Sequence, residues 1–581
     1  MQGDTFVRFV LAIVSFVLGV LLVGLGVGQR TVFAPSPTLT ARASHAAGAP
    51  VTVIPGSTLN ANPGYQRIRV SGSNTAFAAY GTTTDINAWV GNARHTTLRF
   101  DTTSHALTAR VSGSAGSVPN PSNSDLWWQQ YTGSSLSFVT RLPANMSILI
   151  VSDGSKPAPP NVSITWPQST ATPLLGPLLS AGGLFVALGI VFLVWALVHQ
   201  RRSRGPRRRS GGGRPPRVRA SRRAASAGAQ VPRRTRRGRL LAVAPLAALT
   251  ALALAGCSPQ YWPQPAPASA SASPTSTATA APAPPTAATA AQMKRIVARV
   301  AATAAQADAN KDAKLAAERF TGPALALRSA NYAIRAKDSS EAAPPVIAPD
   351  GVSVALPEQT AKWPRTLFVV DTNTKDKNAQ ALTLVQDAPR DPYKVEYDVS
   401  LEANATFSGV PSASVGAPLL APDVKLLVLP PAQLAAAYAD VLANDTASKD
   451  NALFSSAGDD LRSKIGKSYK DQKAKSLPST AKITYSSQIP SNDSVALATN
   501  TAGALVSTDL NEIETVTPTT AGAQVNTEGA VKALSGVDSS TKGISATYGV
   551  QVLFYVPPVG SKQKIELLGF TQGLITASEV K

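Results

Sequence analysis

From Leu174 to Val198 the chain runs 25 residues without a charged side chain, and the next 41 residues, 199–239, hold 16 arginines and no acid. At about 1.5 Å per residue, a helix of that apolar length is long enough to cross the roughly 30 Å hydrocarbon core of a bilayer. A helix buried in a soluble protein shows a polar face, and this run has none. Trp195 stands near its end, where an amphipathic ring suits the membrane interface. Residues 174–198 therefore read as a transmembrane helix, and that reading orders the rest of the chain.

The formal net charge of +21 on 581 residues first points to nucleic acid. Its distribution argues otherwise. Residues 1–198 hold 10 basic and 5 acidic side chains, and residues 240–581 hold 29 of each. The excess lies in the loop 199–239, with Arg201, Arg202, Arg204, Arg207, Arg208 and Arg209 at its start. Arg233, Arg234, Arg236, Arg237 and Arg239 close it. The loop is rich in Gly and Pro and interleaves no aromatic residue for base stacking. It reads as a disordered cytoplasmic segment that sets topology and rests on anionic lipid headgroups. No nucleic-acid partner is expected.

Two further apolar segments fit this orientation. Residues 1–28 include the uncharged run Phe9–Gly28, which reads as an N-terminal transmembrane anchor. A cleavable signal peptide is the other reading, but its apolar core is usually about 7–15 residues long. Gly24 and Gly28 offer a GxxxG face for another helix. Residues 240–257 form the third segment, shorter and preceded by arginines. It ends Leu254-Ala255-Gly256-Cys257, and Cys257 is the only cysteine of the chain. This ending resembles a bacterial lipobox. The resemblance implies diacylglycerol on the Cys257 thiol and cleavage just before it, although a lipobox normally stands near the start of a chain. A plain third membrane helix is the alternative. Short-loop arginines stay cytoplasmic, so residues 29–173 and 257–581 are expected outside a multi-pass protein of the plasma membrane.

Between residues 51 and 166, short alternating runs punctuated by Gly, Ser, Asn and Pro recur about every ten residues. Ile86-Asn87-Ala88-Trp89-Val90 and Ser147-Ile148-Leu149-Ile150-Val151 are examples. The spacing predicts an all-β sandwich of eight or so strands over 29–173. Trp127, Trp128 and Tyr131 are candidates for stacking on a glycan; adjacent tryptophans in a strand put one ring in and one out. Residues 1–198 contain no Glu, which leaves no carboxylate pair for glycoside hydrolysis.

Residues 258–291, almost wholly Ser, Pro, Ala, Thr and Gln, read as an extended linker. Two α+β units are expected beyond it, 292–430 and 431–581, each with helices followed by a strand meander. Helices are expected over Met293–Ala309, Asp312–Phe320, Pro323–Arg335, Pro431–Asn444 and Leu453–Lys475. This order and spacing resembles the NTF2-like (cystatin-like) architecture. The whole chain is similar to actinobacterial membrane proteins with a lipoprotein-like C-terminal half. Some of these carry a glycosyltransferase label without motifs to match it.

No catalytic, cofactor or metal residue is assigned. No histidine follows His199, so the C-terminal half cannot use a Ser-His-Asp triad. Asp308-Ala309-Asn310-Lys311-Asp312 begins like a calcium loop, but Ala313 and Arg319 stand where that loop needs Gly and Glu. Asp459-Asp460 and Glu512/Glu514 read as acidic pairs on solvated faces. The expected function is a non-enzymatic membrane-anchored envelope protein that displays binding or scaffolding domains to a wall polymer or an envelope protein. The alternative is an envelope enzyme such as a glycosyltransferase, or an accessory to wall glycan assembly.

Overall fold

The computed structural model describes residues 3–34, 36–43, 48–202, 284–373, 378–407, 409–491 and 494–581. It divides into two compact units, one of Met1–Leu39 and Trp166–Thr277, the other of Thr40–Thr165 and Ala278–Lys581. The third apolar segment, its Cys257, and Arg204 through Arg239 lie outside the described residues.

The first unit holds two long helices, α1 (Gly3–Arg30) and α4 (Leu175–Arg202). Phe9–Arg30 and Leu175–Arg201 are long and apolar enough to cross a membrane. Large apolar side chains such as Ile13, Leu21, Leu184 and Val191 are exposed along them. The two helices pack on each other through glycine. A Cβ built on Gly19 would lie 2.7 Å from Val186 Cγ2 and 2.9 Å from the Gly182 carbonyl. One built on Gly182 would lie 2.7 Å from Val23 Cγ2. Gly24, expected to face a partner, has no atom within 4 Å of such a Cβ among the described residues. The close approach is thus at Gly19 and Gly182, where both residues must lack a side chain.

In the second unit, residues 40–165 build most of a ten-strand region. One sheet has the order β1-β10-β3-β8, from β1 (Thr38–Ala43), β3 (Gln66–Ser71), β8 (Leu136–Thr140) and β10 (Asn161–Pro167). The other has the order β6-β5-β2-β9-β4-β7. Its members are β2 (Val51–Pro55), β4 (Ala76–Thr82), β5 (His95–Asp101), β6 (Ala106–Ser112), β7 (Gln129–Gly133) and β9 (Met146–Val151). Strands β2 and β5 run parallel, and the other neighbours in this sheet are antiparallel. All six residues of β9 are buried, so both faces of this sheet are covered.

The region is not purely β. A short α2 (Gly56–Leu59) follows β2, and the expected strand at 86–90 is a helix, α3 (Thr83–Val90). The Thr82 hydroxyl accepts the Asp85 N–H, which starts α3, and Gly91 at φ 54° stops it. Ile86, Trp89 and Val90, three and four apart, then face one core with Leu149 and Val151.

Residues 284–581 form four layers. Helices α5 (Ala290–Asn310), α6 (Ala313–Ala316) and α7 (Gly322–Arg335) precede the antiparallel sheet β11 (Val352–Pro357), β12 (Arg365–Asn373), β13 (Asn378–Gln386) and β14 (Lys394–Ser400). A second set follows: α8 (Pro431–Asn444), α9 (Asp460–Ile465) and α10 (Lys467–Ser476). Its sheet contains β15 (Ala481–Gln488), β16 (Val495–Ala498), β17 (Ala504–Pro518), β20 (Ile544–Val556) and β21 (Glu566–Glu579). The small pair β18 (Val525–Asn526) and β19 (Ser539–Ser540) brackets α11 (Gly529–Ser535).

Alternation along the strands dictates the layering. Leu367 and Val369 of β12 pack with Met293, Ile296 and Val300 of α5. Phe368 and Val370, on the opposite face, pack with Leu505, Leu553 and Leu568 of the second sheet. That sheet turns Val506, Val550 and Val552 towards Leu434, Tyr438 and Leu442 of α8. The Thr383 and Ser507 hydroxyls hydrogen-bond between the sheets at 2.7 Å. The two helix-on-sheet units are therefore joined face to face. The expected long helices at 312–320 and 453–475 shrink to α6 and to α9 plus α10, with Gly466 marking the break in the latter.

Residues 40–165 and the C-terminal half are not separate bodies on a linker, as expected, but parts of one compact unit. The linker's end, expected at 291, is drawn into the fold. Thr286 bridges Gln359, and Thr289 caps α5 in a reciprocal box with Gln292.

Candidate functional site

A groove opens where α7, the end of β14 and the middle of β21 meet. Its larger part, about 480 Å³, is lined by Leu327, Arg328 and Asn331 of α7, Asp398 and Glu402 at the end of β14, and Phe570 of β21. A smaller part of about 200 Å³ is lined by Tyr469, Lys470 and Lys473 of α10, Tyr485 of β15, Glu514 of β17 and Tyr548 of β20. Lys464, Gln572 and Gly573 line both, so the two parts adjoin. A Cβ on Gly573 would come within 3.2 Å of Leu327 Cδ2, so the absent side chain lets α7 sit low on the sheet.

Charge at the larger end is buried and paired. Arg328 Nη1 donates to both oxygens of Asp308 at 2.6 Å, and Nη2 lies 3.5 Å from Asp398 Oδ2. Tyr332 donates its hydroxyl to Asp308 at 2.5 Å. Burial pushes the Asp398 carboxyl up to about 6 despite Arg328, and Asp308 and Asp371 add to the shift. Burial, followed by nearby Asp460, raises Glu402 as well, against the pull of Lys464. The Asp308 run thus serves an ion-pair network rather than a calcium loop, and Asp312 caps α6 through the Lys314 and Leu315 N–H groups. Among the described residues no group of three or more His, Cys, Asp or Glu is placed to hold a metal ion.

A folded-state pKa above the unfolded value means that the native state binds more protons between the two. Lowering the pH through about 6 towards about 4 then stabilises the fold through this group. Wild type should gain melting temperature relative to Asp398→Asn over that window, since the amide does not titrate. A constant difference across a thermal-melt series would show that Asp398 is not the titrating group.

At the tyrosine end, Lys470 Nζ lies 2.6 Å from Glu512 Oε2, and Lys473 Nζ lies 2.5 Å from Glu514 Oε2. Both acids, expected on a solvated face, are drawn inwards, and Glu512 is buried. Burial lowers Lys473, but its bond to Glu514 outweighs this and leaves the ammonium raised. Tyr485 is pushed up to about 12 by burial and then by Glu514, and Tyr548 is raised for the same reasons. The Tyr485 hydroxyl is buried without a hydrogen-bond partner among the described residues. Of the other expected surface pair, Asp460 is exposed and Asp459 is buried. It accepts the Tyr438 hydroxyl at 2.7 Å and Arg462 Nε at 2.8 Å.

The aromatic platform expected at 127–131 is not assembled. Trp127 is a core residue, edge-on to Trp89 at 5.5 Å, and donates its indole N–H to the Pro121 carbonyl. Trp128 is exposed, and Tyr131 stacks on Phe138 at 4.2 Å. The aromatic group that lines the groove instead is Tyr469, Tyr485 and Tyr548. Tyr469 stands on α10 and the other two on strands, so no local motif exposes the group. Arg201 is exposed at the end of α4, whereas the lipobox residues Leu254 to Cys257 lie outside the described residues.

Fold and groove together define a paired helix-on-sheet domain on a chain with two membrane-length helices. Residues 284–579 match the family described as Domain of unknown function (DUF8094). The match covers just over half of the 581 residues, and the chain belongs to this family. No curated protein and no solved structure matches it. Every residue named above as lining the groove falls inside the family span.

Proposed function

We propose that this is a multi-pass cell-envelope protein whose extracytoplasmic half binds an extended ligand, a wall polymer or a peptide, in the β21 groove without transforming it. The observation that carries this reading is the wall of Tyr469, Tyr485 and Tyr548 at one end of the groove, beside the Lys470–Glu512 and Lys473–Glu514 ion pairs. Tyrosine faces beside fixed ion pairs offer stacking and hydrogen bonding together. Two helix-on-sheet units joined through their sheets support reading them as NTF2-like. The arginines after α4 support placing residues 199–239 in the cytoplasm, with Cys257 as a lipidation candidate beyond them.

Binding to isolated cell-wall sacculi tests the reading. Tyr548→Ala removes one ring face and should weaken co-sedimentation by about three- to tenfold, the scale of one aromatic contact. Wild-type protein that fails to sediment with sacculi, or a variant that sediments as well, would remove the wall polymer as ligand.

The raised carboxyls of Asp398 and Glu402 in one cavity favour a second reading, an envelope enzyme using general acid–base chemistry. Under it, Asp398→Asn alters wall glycan composition in cells; under the binding reading it leaves composition unchanged.

A further inference from the structure

We infer that the 40–165 region and the family domain are two complementary halves of a complex that holds without the chain joining them. The family domain's own partner would then be a surface of two aspartates and open carbonyls on a β-region that the chain ties to the membrane helices.

Three buried or part-buried ion pairs cross the contact. Asp125 belongs to the β-region, and its side chain is fully buried. Its carboxylate accepts Arg319 Nη1 at 2.6 Å, Arg299 Nη1 at 2.8 Å and the Tyr393 N–H at 3.0 Å, all from the C-terminal half. Asp85, at the start of α3, accepts Arg365 Nη2 at 2.6 Å with both side chains nearly inaccessible. Residues 40–165 contain four acids, Asp85, Asp101, Asp125 and Asp153. The two that are buried are the two aimed at arginines of the other half.

Backbone groups complete the match. Gln292, Arg295 and Arg299 stand three and four apart on α5 and share one helix face. They donate in turn to the carbonyls of Leu126 at 3.0 Å, Trp127 at 2.5 Å and Ser124 at 3.1 Å. Arg390 donates to the carbonyls of Trp89 at 2.8 Å and Val90 at 2.9 Å, the last residues of α3. A cation there satisfies carbonyls that the helix end leaves open. Trp363 packs against the core that holds Trp89 and Trp127.

Separating the halves would strip Arg319 and Arg365 of these carboxylates and leave Asp125 without its three donors. Charges desolvated this deeply are stable only while paired. Each half is thus finished by the other. A break anywhere between residues 203 and 283 would convert one chain into two that stay bound, and the family domain would remain with the membrane helices through the β-region.

The test uses the full chain with a protease site inserted between 203 and 283 and a tag at each end, extracted in detergent. After cleavage the protein is captured through the N-terminal tag. It is then washed at about 0.15 M and about 1 M salt, where screening shortens from about 8 Å to about 3 Å. The C-terminal fragment should remain bound at both. Asp85→Ala with Asp125→Ala should raise its release by about a hundredfold or more, the scale of a broken buried pair. A thermal melt of the released fragment shows whether it is still folded. Loss of the wild-type fragment at about 0.15 M salt overturns the inference, and so does full retention by the double variant. Neither outcome depends on groove binding, which is read on uncut protein.

Discussion

Arg328→Met should destabilise the C-terminal half by about 3–5 kcal/mol, the cost of removing one partner from a buried ionic network. The guanidinium is 3% exposed, grips Asp308 through both carboxylate oxygens, reaches Asp398 and lies 4.3 Å from the centre of the Phe320 ring. Methionine fills much of the volume but answers neither acid. Tyr332 would still donate to Asp308, whereas Asp398 would lose the cation that opposes its burial. Its carboxyl would rise further, so the folded state would hold that proton to higher pH. Stability lost at pH 7 should be partly recovered on acidification through about 6, because the native state then takes up more protons than the unfolded chain. Denaturant titrations at both pH values measure this. A loss below about 1 kcal/mol at pH 7 would show that Asp308 and Asp398 find other partners. Since Arg328 also lines the groove, ligand binding should fall with it.

The second large effect concerns the helix pair. In lipid there is little hydrophobic drive between helices, so close backbone approach and dispersion carry association. Gly182→Leu places a side chain where even a Cβ would stand 2.7 Å from Val23 Cγ2 and 3.0 Å from the Gly19 carbonyl. Backbone cannot yield as a flexible chain end can, so α1 and α4 must separate. A Cβ on Gly189 would lie 3.1 Å from the Phe16 ring, which makes Phe16→Cys with Gly189→Cys a suitable reporter pair. Cys257 is the only native thiol, and Cys257→Ser clears the background. Gly182→Leu should reduce cross-linking between the pair at least about tenfold. Gly24→Leu should leave it unchanged, as that position faces open space. Equal cross-linking in both variants would place the helix contact elsewhere.

Local periodicity makes some elements legible and hides others. Pro431–Asn444 is readable because proline stands at a first turn and Leu434, Tyr438, Val441 and Leu442 repeat at helical spacing. The two apolar helices are equally plain. Ile86 to Val90 misleads because a helix of eight residues offers little pattern, too little to outweigh apparent alternation, while its real signal is the Thr82 cap. The unbroken run Thr366–Val370 announces burial on both faces but not which layer covers each. The groove and the contact with residues 40–165 are less legible still. Arg319 and Asp125 are 194 residues apart, and Lys470 and Glu512 are 42 apart. A single charge in a sequence does not declare its partner, and so Glu512 reads as solvated. Aromatic residues mislead for the same reason: Trp127-Trp128 is conspicuous as a pair yet supplies a core residue and a surface one. Tyr469, Tyr485 and Tyr548 are ordinary singly and meet only after three elements have packed.

The shared face between the two sheets has a consequence for how the domain can be divided. Phe368, Val370, Tyr397 and Val399 on one side and Leu505, Leu553 and Leu568 on the other form one core. A fragment ending near residue 430 would expose one side of that core as a broad apolar surface, and a fragment beginning there would expose its counterpart. Such pieces tend to self-associate rather than remain monomeric. The repeated helix-then-sheet order has therefore not produced two independently folding modules. Heat should melt the pair in one transition, and either half produced alone would aggregate instead of folding as a half-domain.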